Sequence, residues 1–510
     1  MAVVCVDAGT TMIKVVGYDE DGAERVVVRR PTEVRRPAPG HVEQDMDEVW
    51  RAVASGVREV RERLGGAPVS YLAVTAQGDG CWLVDASGRP TGPAILWSDG
   101  RAAGTVGTWA DAGVMDTAFR TNGSVSFAGV PTGILTWLRA HDPERLARSA
   151  ATLTCGGWIF SRLTGEIAVD ESDAAVPFMD IRTRDYSTEL LRLYDMEWAR
   201  PLLPEIRSDD RRVAGLTAWA ADELGVPAET PVVLAPYDVA STAFGAGATE
   251  TGQACVILGT TVCTETIVDA PDLGGRPTGL TLPLGLAGGR DEGRYLRSFP
   301  TLSGGQVIDW ACRLLGMDGD PGGLAELAAQ APPGAGGLVF LPYLSQAGER
   351  VPFLDPKARG AFHGLTVDHE RPHMARAVLE GLTMVVRDCL AAAGTPATEL
   401  RVSGGGSASP VWLAMMADVT GVPVVRTTDA EAGARGAFLV GAVATGRTAT
   451  IAEAARAHVR VGDAYRPDPD RAEFYARMYQ TFLDVRNAAA ATWPILADAR
   501  HRDRTDGGTL

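Results

Sequence analysis

The stretch VVCVDAGTTMIKVV at 3–16 decides the reading of this chain, together with its echo GQACVILGTTVCTETIV at 252–268. In each, an apolar strand-like run enters a Gly-Thr-Thr turn and a second strand-like run leaves it. Two copies of one hairpin, near the starts of two halves, point to a duplicated pair of domains. A boundary near residue 247 follows, inside AFGAGATETG, whose small residues suit a linker. The expected division is 1–247, 248–490 and a tail at 491–510, with HRDRTDGGTL at its end expected to be disordered.

The first hairpin extends into AERVVVRR as a third strand. A helix is expected from DMDEVWRAVASGVREVRERLG. Asp45 with Glu48 resembles a capping box, Val49, Val53, Val57, Val60 and Leu64 recur at helical spacing, and Gly65 supplies the stop. SYLAVTA reads as a strand and CWLVDASGRPTGPAILW as another hairpin. Later helices are expected at 373–392 and 409–420, and RAEFYARMYQTFLDVRNAAAATW as a closing helix. Meander, helix, strand is an α/β order.

Composition narrows the function. The 510 residues suffice for two or three domains with large cores. Net charge is −16, and no Lys/Arg patch exceeds short runs such as RRPTEVRRP, which argues against a nucleic-acid partner. No apolar run reaches the roughly 18 residues a membrane span needs. The chain enters MAVVCVDAG as a strand, without a charged leader, so a cytoplasmic protein is expected. Seven scattered cysteines form no C-x-x-C and are expected to be small core residues.

Four segments can carry chemistry. In DAGTT, backbone N–H groups and the hydroxyls of Thr10 and Thr11 suit an oxyanion, and Asp7 at a strand end could hold Mg²⁺ through water; a hairpin turn with a solvated acid is the plainer reading. Lys14 follows seven residues on. It is one of two lysines, with Lys357, among 48 basic residues, and a surface position would serve it equally. Gly259, Thr260 and Thr261 repeat the turn. In LAPYDVASTAFGAG, Asp238 could take a proton from an attacking hydroxyl or could cap a helix. Gly404, Gly405 and Gly406 in RVSGGGSASP allow close approach of a flat ring or a phosphate, although no Walker lysine follows. In TAQGDGCWLVD, Asp79 between two glycines is either a turn residue or a ligand contact. His363 and His373 are expected to be structural or surface residues.

Together these segments resemble the FGGY family of carbohydrate kinases, within the actin-like, sugar kinase and heat-shock ATPase superfamily. The resemblance includes DAGTTMIK, HVEQD, PAILWSDGRA, DVASTAFG, LGTT, LPYLSQAGERVPFLDPKARGAF, SGGGSASPVWLAMMADVTGVPV and EAGARGAFLVGAVATG. GAFHGL, then seven residues, then HMARAVLE fits the family's C-terminal signature. It implies an α/β fold of two ribonuclease H-like (actin-like ATPase) domains with an ATP cleft between them. It implies ATP and Mg²⁺ as cofactors and a small polyol or sugar as substrate; family members often form homodimers, though no segment here marks an interface. Asp7 would belong to the Mg²⁺–phosphate region, with Thr10, Thr11 and Lys14 in the first phosphate loop and Gly259, Thr260 and Thr261 in the second. Gly404, Gly405 and Gly406 would line the adenosine pocket, with Gly305 nearby. Asp238 matches the general base. Gln77, Gly78, Asp79, Trp97, Asp99 and Arg101 fall on the substrate side.

Two departures bear on the substrate. The family's N-terminal signature has a lysine three residues before a tryptophan, where this chain has Ile134 before Trp137. Xylulose-type kinases carry Met-His-Gly where this chain has Gly78-Asp79-Gly80. The segment QGDGCWLVD looks closer to the erythritol (tetritol) kinase branch. A tetritol such as erythritol is therefore the first expected acceptor, with xylulose or another pentulose or pentitol second. A catalytically silent sugar sensor is the alternative from another class; the presence of Asp7, Asp238 and both turns argues against it.

Overall fold

In the computed structural model, which describes residues 1–285, 293–317 and 319–506, strand Ala2–Ala8 is buried along its whole length. It runs antiparallel to Met12–Asp19, which in turn pairs antiparallel with Glu24–Pro31. On its other edge it runs parallel to Val69–Ala76, and Pro231–Leu234 continues the parallel set. Val213–Gly215 closes this six-stranded sheet. A strand with neighbours on both edges and helices over the sheet reads as a continuous apolar run, as AVVCVDA does.

The expected helix forms as Met46–Arg63. The Asp45 carboxylate accepts from the Glu48 backbone at 3.0 Å. Val49, Val53, Val57 and Val60 face the sheet, and Gly65 takes φ +68° beyond the last turn.

The second hairpin repeats the plan. Gln253–Leu258 runs antiparallel to Val262–Val268 and parallel to Glu399–Ser403. Val424–Thr427 then adds parallel and Val461–Tyr465 antiparallel. Helices Arg371–Ala392, Pro410–Thr420 and Pro469–Ala490 form where periodicity places them, and a large apolar core gathers around them. Each half is thus a mixed sheet with helices, the architecture expected of a ribonuclease H-like domain.

Contacts divide the chain less simply than a cut at residue 247. One compact unit holds 1–251, 267–297 and 431–460; the other holds 252–266, 298–430 and the chain from 461 onward. Within the first unit, helix Ala432–Ala444 crosses helix Asp238–Gly245. The crossing needs glycine: a Cβ on Gly436 would sit 1.8 Å from the Ser241 carbonyl, and one on Gly245 1.8 Å from that of Ala432.

Two local expectations change. CWLVDASGRPTGPAILW closes only by isolated bridges, Cys81 with Ile95 and Val84 with Pro90. Its strands Trp82–Val84 and Ala94–Ile95 instead pair with Ala151–Leu153 and Glu43–Gln44. Pro90 and Pro93 lack the N–H a continuous ladder requires. The expected disordered end is in part a helix, Trp493–Asp506, and residues 507–510 lie outside the described ones. Trp493 anchors its start, with ring centroids 5.9 Å from those of both Phe353 and Tyr343.

All seven cysteines are buried and unpaired with one another. His373 is structural: its Nδ1 accepts from the Glu370 backbone at 3.1 Å and completes the N-terminal box of Arg371–Ala392. Ile134 is fully buried among Leu135 and Leu138, so an apolar core contact occupies the position of the family lysine. Among the described residues no helix is long and apolar enough to cross a membrane.

Candidate active site

The first turn places Asp7 directly opposite Lys14 in the hairpin register. Lys14 Nζ lies 3.3 Å from Asp7 Oδ2 and 3.3 Å from Glu431 Oε2, and Arg29 pairs with the same Glu431. Burial pushes the Asp7 carboxyl up; Lys14 opposes this and Glu431 adds to it. Sequence reading passed over Glu431 and Gly433. A Cβ on Gly433 would stand 2.7 Å from Asp7 Oδ2, so the start of helix Ala432–Ala444 can lie against Asp7 only because that residue is glycine. The signal was present in EAGARGAF, a charge followed by small residues at a helix start.

Thr10 and Thr11 part ways. Thr11 is exposed at the turn tip. The Thr10 hydroxyl donates to Gln77 Oε1 at 2.7 Å and accepts from Trp97 Nε1 at 3.0 Å. Gln77 Nε2 donates to Gln44 Oε1 at 3.0 Å, and Gln44 Nε2 to the Thr10 carbonyl at 2.9 Å. Gln44, a further residue the sequence reading did not single out, thus closes a ring that ties the turn to the substrate-side candidates.

Asp99 and Arg101 hold each other. Arg101 donates to both Asp99 oxygens at 2.9 Å and to Glu43 at 2.7 Å, and its guanidinium lies 5.0 Å from the Trp137 ring centroid. Asp99 also accepts from the Val42 backbone at 2.5 Å. A bidentate, buried pair of this kind fixes the loop geometry.

Asp79 takes φ +52°, a left-handed conformation in which aspartate is found more often than most non-glycine residues. Tyr237 OH donates to Asp79 Oδ2 at 2.8 Å, and a Cβ on Gly78 would lie 2.3 Å from the Tyr237 ring. The Tyr237 backbone N–H donates to Ser172 Oγ at 3.0 Å. Tyr237 occupies the N-cap position of helix Asp238–Gly245, so Asp238 stands at the first helical residue rather than at the cap. Burial, then the charge of Asp7 and more weakly that of Asp79, push the Asp238 carboxyl up to about 8. Asp173, 8% exposed, belongs to the same group of acids: burial first, then Asp170, Asp79 and Asp238 raise its carboxyl. Its Oδ1 has no hydrogen-bond partner among the described residues.

In the second unit, the Gly259 N–H donates to the Thr261 carbonyl at 3.2 Å, closing the turn. The Gly305 and Gln306 N–H groups donate to the Gly259 and Thr260 carbonyls at 2.9 and 3.2 Å. The turn is thereby bound to the start of helix Gly305–Leu314. Gly259, Thr260, Gly305, Gly405 and Gly406 line a cavity of about 790 Å³, walled by Leu258, Ile308, Leu379 and Trp412. That volume and apolar lining suit a base and ribose. Gly404 and Thr261 are not among its lining residues. Gly404, at φ +87°, packs so closely that a Cβ would be 2.6 Å from the Leu258 carbonyl. A Cβ on Gly305 would lie 2.7 Å from the Gly259 carbonyl and one on Gly406 2.8 Å from Leu258 and Trp412, so both positions need glycine.

Among the described residues no group of three or more His, Cys, Asp or Glu side chains is placed to hold a metal ion. A single buried carboxylate, Asp7, fits a cation that keeps most of its waters and is otherwise held by phosphate oxygens, as Mg²⁺ is.

Residues 2–245 match the FGGY family of carbohydrate kinases, N-terminal domain, and residues 254–445 match its C-terminal domain. The chain is 33% identical to an erythritol kinase of Brucella abortus (strain 2308), covering 98% of each. It is 30% identical to a xylulose kinase of Escherichia coli (strain K12), covering 94% of this chain and 99% of the relative. Among solved structures, a xylulose kinase from Lactobacillus acidophilus superposes with a TM-score of 0.90 at 25% identity, covering 97% of this chain and 99% of the other.

Proposed function

The chain belongs to the FGGY family of carbohydrate kinases, and we propose that it transfers the γ-phosphoryl group of ATP to a primary hydroxyl of a small polyol, a tetritol such as erythritol first. It is a phosphotransferase acting on a sugar or polyol. The observation that carries the acceptor reading is the Asp79–Tyr237 hydrogen bond directly beside Asp238. Similarity over the whole length to an erythritol kinase supports it.

In this reading the segment 1–247 supplies the acceptor side and the base, and 248–490 the nucleotide side. Asp238 accepts the proton of the attacking hydroxyl; its raised affinity for a proton suits that task near neutral to alkaline pH. Thr10 and Lys14 offer a hydroxyl and a cation to phosphate oxygens, with Thr11 exposed beside them. Gly259, Thr260 and Thr261 form the second phosphate turn, and Gly305, Gly404, Gly405 and Gly406 shape the adenosine cradle. Asp7 would hold Mg²⁺ through water, and the ion would supply neutralisation of charge spreading over the transferred group. Gln77 and Trp97 position the turn against the acceptor, while Asp99 and Arg101 brace the loop that carries Trp97. The protein would work in the cytoplasm, where ATP is replenished.

A second reading, phosphorylation of xylulose or another ketopentose, is favoured by the E. coli relative. ADP formation over a panel of tetritols, pentitols and ketopentoses separates the two. Highest kcat/KM with a tetritol is expected; highest kcat/KM with a ketopentose would install the second reading, and no turnover with any would contradict both.

A further inference from the structure

Three short elements of the first unit border a second cavity, of about 300 Å³, lined by none of the candidate active-site residues. They are the hairpin of Met179–Asp180 with Asp185–Tyr186, the tight helical turn Glu197–Leu202 and the strand Glu205–Arg207. Its lining sets Arg184, Arg200 and Arg211 against Asp185 and Glu205. In a chain of net charge −16, a concave place with more cations than acids stands out.

None of the three arginines is closely paired. Arg200 is exposed, has no acidic partner among the described residues, and lays its guanidinium 5.3 Å from the Tyr186 ring centroid. Arg211 is 3.9 Å from Glu205, which also holds Arg207 at 3.3 Å. Arg184 is 5% exposed, yet its contacts are long: 3.7 Å to Glu171, 3.4 Å to the Arg294 carbonyl and 5.2 Å to the Tyr295 ring centroid. Burial, then Asp170, push the Glu171 carboxyl up to about 7, which makes it an incomplete counter-charge at neutral pH. A buried cation without a close partner is costly, and an anion arriving from the cavity would relieve that cost. Arg184 also stands at φ +55°, where glycine would sit more easily.

Several guanidinium forks around one small space suit a tetrahedral dianion, whose oxygens can accept from all of them, better than a singly charged planar carboxylate. The volume is at the lower end for small-molecule sites, and Leu203 and Ile206 add apolar wall for a short carbon chain. We propose that this cavity is a second, non-catalytic binding site for a small phosphate monoester, with Arg184, Arg200 and Arg211 around the phosphate. The inference does not depend on which acceptor the kinase uses.

Isothermal titration of the full chain with glycerol 3-phosphate, inorganic phosphate and glycerol tests it. Glycerol 3-phosphate is expected to bind saturably, at least tenfold tighter than glycerol and at least threefold tighter than inorganic phosphate. Arg200→Ala combined with Arg211→Ala, both exposed positions, should weaken that binding at least tenfold. Glu205→Gln, which removes a competing acid, should tighten it at least threefold and remains informative should the double variant fail to fold. Asp238→Ala should leave it within twofold. No saturable binding, binding indifferent to the arginine pair or to Glu205→Gln, or inorganic phosphate as tight as the ester would overturn the proposal. Loss of binding in Asp238→Ala would place the ester in the active site and overturn it equally.

Discussion

Tyr237 donates its phenolic hydrogen to Asp79 at 2.8 Å and is followed in the chain by Asp238. One side chain therefore joins the loop after strand Val69–Ala76 to the start of the helix that carries the candidate base. The packing is strict, because only a glycine at 78 leaves room for the ring.

Gly78→Ala should therefore displace Tyr237. The expected result is a fall of tenfold or more in acceptor kcat/KM with KM for ATP unchanged. Combining Gly78→Ala with Tyr237→Ala should produce an interaction term of about 0.5–3 kcal/mol, as contacting residues do. Steady-state kinetics of the four proteins in this cycle provide the check; strict additivity would mean the two positions do not communicate.

The Asp238 carboxyl, pushed up to about 8 by burial and by Asp7, must lose its proton to act as a base. Activity is then expected to rise with pH and level off above about 8. A pH–rate profile of kcat/KM for the acceptor tests this, and a profile flat from pH 6 to 9 would contradict it.

The same shift has a consequence for stability. The ordinary Asp value is 3.8 and the folded value is about 8, so between them the folded state binds more protons than the unfolded state. Stability contributed by this group then falls as pH rises through that window. Asp238→Asn, which cannot ionise, should raise the melting temperature relative to wild type, more at pH 8.5 than at pH 5. Differential scanning calorimetry at the two pH values decides it, and an equal or reversed difference would refute the assignment.

Gly404 and Gly405 should separate cleanly in the second unit. A Cβ at 404 meets the Leu258 carbonyl at 2.6 Å on a backbone at φ +87°, whereas a Cβ at 405 meets nothing within 4 Å. Gly404→Ala is expected to lose about 1–3 kcal/mol of stability and to raise KM for ATP several-fold; Gly405→Ala should leave stability nearly unchanged. Thermal melts and ATP titrations distinguish them.

Much of this was legible from the chain. The repeated Gly-Thr-Thr hairpins announce two related sheets because strand, tight turn and strand lie within one short window. Asp45 with Glu48 and the valine spacing mark the first helix for the same local reason. Glu431 and Gly433 were not legible as partners of Lys14 and Asp7, since more than four hundred residues separate them and only the folded helix crossing brings them together. Tyr237 was hidden differently: its importance lies in a ring packed on a bare glycine backbone and in one hydrogen bond, neither of which has a local pattern. Asp99 and Arg101 read as substrate contacts by position, yet their spacing lets them satisfy each other.

The central claim is that Asp238 activates a polyol hydroxyl toward ATP. Mass spectrometry of erythritol after incubation with ATP and Mg²⁺ tests it most directly, for wild type and Asp238→Ala in parallel. Wild type is expected to add one phosphoryl group to the polyol, and Asp238→Ala to do so roughly 10²–10⁴-fold more slowly with ATP affinity retained. Phosphorylation at the wild-type rate by Asp238→Ala, or none by the wild type with any polyol or ketose, would contradict it.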